Sequence, residues 1–144
     1  MRRPWLLMVA VSLLLAWSGS ALAQGDAKIT QMLVASYDLL EAGKLDQAAA
    51  IFRQILQQDP GNPLALNNLA AVMVKEKKFQ EALKYLEQAL PRARDDKVRV
   101  NRVCAVDGLC LAFRPLQEVY GDQDLEPLVH LNIDMVKARL ATRE

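Results

Sequence analysis

The chain repeats itself. Sliding it by 34 positions places Lys44 on Lys78, Leu45 on Phe79, Ala48 on Ala82, Gln54 on Gln88 and Leu56 on Leu90. A period of this length marks a unit too small to bury its own apolar face, so the units must stack to share a core. Two units follow, over 29–62 and 63–96. Each contains two stretches with apolar residues at helical spacing, joined by a short polar turn. In the first unit Met32, Ala35, Ser36 and Leu39 share one helix face, and Ala48, Phe52 and Ile55 share a face of the next helix. In the second unit Leu66, Leu69, Ala70 and Met73 are matched with Ala82, Leu86 and Ala89. Small residues at 48 and 82 let antiparallel helices approach closely while larger neighbours fill the groove.

Punctuation agrees with the period. Gly43 falls where a helix needs a left-handed residue past its C-terminus. Pro60 closes the second helix, and Asn62-Pro63 reads as an N-cap followed by proline at the first helical position. With Met32, Ala35, Ser36, Leu39, Ala48, Phe52, Ile55 and Pro60, the first unit resembles the 34-residue helix-turn-helix of the tetratricopeptide repeat family. The second carries Leu66, Leu69, Ala70, Met73, Ala82, Leu86, Ala89 and Arg94 at the same eight positions. Ala35, Ile55 and Arg94 depart from the family pattern, which favours Leu, a small residue and Pro there. The resemblance implies a mainly α fold, a short right-handed helical solenoid of two helix-turn-helix repeats with a C-terminal loop or small hairpin and a capping helix. It also implies a concave groove, lined by the first helix of each unit, that holds a segment of a partner protein. Mapped by position, the groove residues are Thr30, Leu33, Tyr37, Leu40 and Glu41 of the first unit, with Leu64, Asn67, Asn68, Ala71, Val74 and Lys75 of the second. Tyr37 offers a large contact surface, and Asn67 and Asn68 suit hydrogen bonding to a peptide backbone.

What precedes the repeats has a different character. Arg2 and Arg3, an apolar run from Trp5 to Trp17, and small residues at Ala21 and Ala23 form the pattern of a secretory signal cleaved before Gln24. Residues 1–23 are therefore read as a removed leader and 24–28 as a lead-in to the first repeat. Removing Arg2 and Arg3 takes the basic residues from 18 to 16 against 17 acids. That balance lacks the clustered positive field a nucleic-acid binder needs. Beyond the leader no apolar stretch reaches spanning length, so no stable membrane insertion is expected after cleavage. The expected location is outside the cytoplasm, periplasmic in a Gram-negative cell and secreted otherwise.

The C-terminal third breaks the period. Residues 97–121 hold Val98, Val100, Val103, Val106, Leu109, Leu111 and Phe113 around Asp107-Gly108, a turn dipeptide, and read as a hairpin or ordered loop. A two-residue turn there places Cys104 opposite Leu111, whereas a five-residue loop places it opposite Cys110. In an exported chain the two cysteines are expected to form a structural disulfide, Cys104 with Cys110, closing a short loop worth about 2 kcal/mol. A short helical turn is expected over Pro115–Tyr120. From 122 to 144 a capping helix is expected, N-capped by Asp122 or Asp124, with Leu125, Leu128, Val129, Ile133, Val136 and Leu140 as its apolar residues and His130 packed on or near that face.

The sequence offers no catalytic constellation. Ser36 is the only serine after the leader and falls in the helix interface. No Gly-rich phosphate loop, nucleophile elbow or metal-spaced His/Cys/Asp cluster occurs. No catalytic residue, cofactor or metal is expected. The expectation is a protein-binding scaffold, with two alternatives: a self-associating structural subunit, or a thiol-disulfide redox protein using Cys104 and Cys110.

Overall fold

The computed structural model describes residues 25–94, 97–98, 100–106, 109–115 and 123–142, with side chains described over 25–94, at Ala112 and over 125–142. The leader, Asp122, the Asp107-Gly108 turn and residues 116–120 of the expected helical turn lie outside them. The chain divides into two compact units, Met1–Gln31 and Met32–Glu144. In the first, residues 25–31 are helical, including 25–28, where a lead-in is expected. There the Thr30 hydroxyl donates to the Asp26 carbonyl at 3.0 Å.

Within the second unit the helices come in the order and pairing that the period demands. Helix α1 covers 25–41 in all, followed by α2 (Leu45–Gln58), α3 (Pro63–Lys75) and α4 (Phe79–Ala93). α2 is amphipathic, burying Ala48, Ala49, Phe52 and Ile55. One period later α4 buries Phe79, Ala82, Leu86, Ala89 and Ala93. Between them α3 is buried on every side from Pro63 to Val74, as befits a helix with almost no charged residue. It packs on α2 and α4.

The turns inside the two units are copies. The Gly43 N–H donates to the Leu40 carbonyl (3.0 Å) and the Lys44 N–H to that of Leu39 (2.9 Å). Shifted by 34, the Lys77 N–H donates to Val74 (2.9 Å) and the Lys78 N–H to Met73 (2.8 Å). Both are Schellman closures, which need a left-handed residue after the helix. Gly43 supplies it at φ 76° and Lys77 at φ 61°. The junction between units follows the sequence as well. Asn62 caps α3 by accepting from the Ala65 N–H at 2.9 Å, with Pro63 at the first helical position. Asp59, which ends α2, accepts from the Asn62 amide at 3.1 Å and pairs with Arg92 of α4, tying the junction to the end of the next helix. The Arg92 side chain crosses close over Gly61, where a Cβ would lie 2.7 Å from its Cδ.

One expectation is corrected in α1. Of the four residues assigned to its packed face, only Ser36 is buried; Met32 and Leu39 are half-buried and Ala35 is exposed. The buried side is instead Leu33, Ser36, Tyr37 and Leu40, one position further round.

After α4 the chain leaves the repeat and returns. Strands β1 (Lys97–Val98) and β4 (Gln123–Asp124) pair antiparallel, Lys97 with Asp124 and Val98 with Gln123. Between them β2 (Val100–Val106) and β3 (Leu109–Pro115) form a hairpin in which Val106 faces Leu109, a two-residue connection. The register puts Cys104 opposite Ala112 and Cys110 opposite Ala105, because an irregularity between Cys104 and Ala105 leaves Leu111 as an extra residue. The two cysteines are therefore not register partners, and their side chains lie outside the described residues.

Helix α5 (Leu125–Ala141) then packs on α4, burying Leu125, Val129, Asn132, Ile133 and Val136. Leu128 and Leu140 are only half-buried, and His130 is exposed, 3.7 Å from a Glu126 oxygen, instead of packed on the apolar face. Arg94 at the end of α4 donates to Glu126 at 2.7 Å and so closes the detour at its base.

Candidate partner-binding face

The residues assigned to a groove are gathered by the fold but are not open. Leu33, Tyr37, Leu40, Leu64, Asn67, Asn68, Ala71 and Val74 are each at most 5% exposed. Lys75 is half-buried and Glu41 exposed. Thr30 is half-buried and belongs to the other compact unit. An open concave surface lined by these residues is thus corrected to one already filled by the chain itself.

Elements beyond the helices of the repeats also bear on α3. Strand β3 packs on it, with β2 making a lesser approach. Ala112 of β3 is fully buried. From α5, the Asn132 amide donates to the Asn67 side-chain oxygen at 2.8 Å, and the Asn67 amide in turn donates to that of Asn68 at 3.2 Å. Three buried asparagines therefore form one run of side-chain hydrogen bonds, which offsets part of the cost of burying their amides. The asparagines assigned to a partner's backbone are engaged within the chain.

Asn132 is the residue that the sequence reading missed. Val129, Asn132, Ile133 and Val136 have the same spacing as Leu66, Leu69, Ala70 and Met73, and as the buried side of α1. α5 takes the place of a third first helix, displaced along the chain by the hairpin. Surface depressions say the same. One lies at Gly43–Gln47 against Glu76, at the end of α3; its copy lies at Lys77–Glu81 against Leu140, at the end of α5.

The Ser36 hydroxyl donates to the carbonyls of Met32 (2.7 Å) and Leu33 (3.0 Å), so it serves the helix interior. Among the described residues no cluster of three His, Cys, Asp or Glu side chains has the arrangement of a metal site. Among them, too, no helix is long and apolar enough to cross a membrane. Lys78 is held above the usual lysine range by its hydrogen bond and charge interaction with Glu76, 2.7 Å away.

Residues 39–106 match a family model described as tetratricopeptide repeat. The match runs from the end of α1 through α2, α3 and α4 to the last residue of β2. Comparison with curated proteins and with solved structures returned no match.

Proposed function

The chain is a tetratricopeptide repeat protein, and from that premise we propose that it is an exported, non-catalytic scaffold that holds a partner protein in the cell envelope, as an adaptor or assembly factor. Repeats of this family generally mediate protein–protein interaction and their proteins are typically non-catalytic scaffolds. The observation that carries the reading is the duplication of the unit down to its turn hydrogen bonds, from Leu39–Lys44 to Met73–Lys78. Such repetition builds a rigid stack of first helices, and a rigid surface binds without losing the entropy of ordering itself. Export is supported by the Arg2-Arg3, apolar and Ala-Leu-Ala pattern of the leader. In that setting Cys104 and Cys110 are read as a disulfide that stiffens the hairpin.

The test places photo-crosslinking residues at Glu41 and Lys75, the members of the assigned groove within Met32–Glu144 that are not buried. Crosslinking in living cells followed by mass spectrometry should recover one other envelope protein from both positions. Recovery of this chain alone would replace the scaffold reading with self-association. The same samples should give a mature N-terminus at Gln24 and cysteines that resist alkylation until reduced. A retained leader or two free thiols would remove export or the disulfide from the proposal.

A further inference from the structure

We propose that α5 carries a second packing face and that a second copy of this chain occupies it, the two α5 helices lying antiparallel about a twofold axis. The first observation is that α5 is apolar on two sides. Leu125, Val129, Ile133 and Val136 are buried, with Asn132 among them. Leu128, Leu131, Met135 and Ala138 follow one another at intervals of three, four and three residues, the spacing of a helix-to-helix seam, and form a separate stripe. Leu131 is 51% exposed, the one large hydrophobic side chain left exposed among the described residues. Ala138 is exposed as well, and Leu128 and Met135 are half-buried. A helix apolar on all sides is normally covered on all sides, as α3 is from Pro63 to Val74. α5 packs on α4 and β3 and still leaves Leu131 and Ala138 in solvent.

The second observation names the occupant. The stripe is symmetric about its own middle: laid antiparallel on a copy of itself, it sets Leu131 against the partner's Met135 and Leu128 against the partner's Ala138. Such self-complementarity is what a twofold contact requires and what an unrelated partner does not need. Charge agrees and fixes the direction. Asp124 and Glu126 stand at the start of α5, Lys137 and Arg139 toward its end. Antiparallel copies put the acidic start of each beside the basic end of the other and oppose the two helix dipoles, whereas parallel copies set like on like. Two joined copies engage a repetitive partner more strongly than one, a property beyond the scaffold reading and independent of it.

The experiment purifies the protein as the cell processes it and follows its sedimentation over a concentration series at low salt. A helix seam about 25 Å long makes an interface at the small end of specific contacts, so a monomer–dimer equilibrium is expected in the range of about 1–100 μM. Leu131→Glu and Ala138→Glu change exposed positions. Each should leave the thermal midpoint of dilute protein unchanged and raise the dissociation constant about tenfold or more. A photo-crosslinking residue at Leu128 should join the partner copy between Met135 and Thr142, read by mass spectrometry on mixed light and heavy isotopic protein. A monomer throughout the series overturns the proposal, and so does a dimer that both substitutions leave intact. Crosslinking of Leu128 to the same position of the partner copy overturns the antiparallel arrangement, and crosslinking only to a different protein gives the face to that protein instead. Because the readout is self-association through α5, its failure leaves the test at Glu41 and Lys75 intact, and the failure of that test leaves this one.

Discussion

The turns at Gly43 and Lys77 make the same hydrogen bonds with different means. Gly43 reaches φ 76° without a Cβ to object; Lys77 holds φ 61° although a left-handed conformation costs an ordinary L-residue roughly 1–2 kcal/mol. The second turn is therefore imposed by what flanks it. α3 and α4 pack against each other along their length, and α4 is further held by α5. At the first turn the local sequence complies with the geometry.

The largest effect should come from taking that support away. Leu86, fully buried on α4, is expected to cost about 2–5 kcal/mol on truncation to Ala, depending on how far the site collapses. If packing imposes the Lys77 turn, native-state hydrogen exchange of Leu86→Ala should show Lys77 and Lys78 losing protection together with α4. Gly43 and Lys44 should hold theirs. Loss at both turns alike would mean that the units do not differ in this way.

Exchanging the turn residues is the next test. Gly43→Ala should destabilise by about 1 kcal/mol, because the new Cβ must adopt the left-handed region; no atom lies within 4 Å of it, so crowding adds nothing. Lys77→Gly should stabilise by a smaller amount, roughly 0.5 kcal/mol, since relief of strain is offset by the greater freedom of glycine in the unfolded chain. Urea midpoints measure both. A destabilising Lys77→Gly would show that the Lys77 side chain contributes more than its backbone costs.

These turns also show how far the fold could be read from residues. The 34-residue shift found the helix pairs, and Gly43, Asn62 and Pro63 perform the roles their chemistry suggests. The same shift places Lys77 on Gly43, but lysine does not announce a left-handed turn, so only the period carried that information. The groove was legible as a set of positions and not as a surface. Burial of Asn67, Asn68 and Ala71 depends on a strand and a helix that are distant in sequence, and neither obeys the period by position. Asn132 was hidden for a related reason. A polar residue scores against an apolar face, and its place becomes clear only once Asn67 is seen to receive its amide proton. The ion pairs Asp59–Arg92 and Arg94–Glu126 join positions more than thirty residues apart through helix ends, where no spacing rule applies.

The smallest expected effect sharpens the comparison at the residue after each turn. Lys44 and Lys78 both end the Schellman closure and begin the next helix, their carbonyls accepting from Ala48 and Ala82 at 3.0 Å each. Neither side chain caps the helix it starts. A lysine has no oxygen to offer the unpaired N–H groups of the first turn, and its positive charge faces the positive end of the helix dipole. Lys44→Asn should therefore stabilise, by about 0.5 kcal/mol, the low end of capping effects because the ψ of 66° falls short of the extended value that caps prefer. Lys78→Asn offers the same cap at ψ 63° but gives up the 2.7 Å contact with Glu76. Thermal midpoints of the two single variants should thus rise more for Lys44→Asn than for Lys78→Asn, with the gap narrowing at high salt as the Glu76 contact is screened in the unsubstituted chain. Equal shifts that ignore salt would show that the Glu76–Lys78 pair contributes nothing, leaving the left-handed residue as the one difference between the turns.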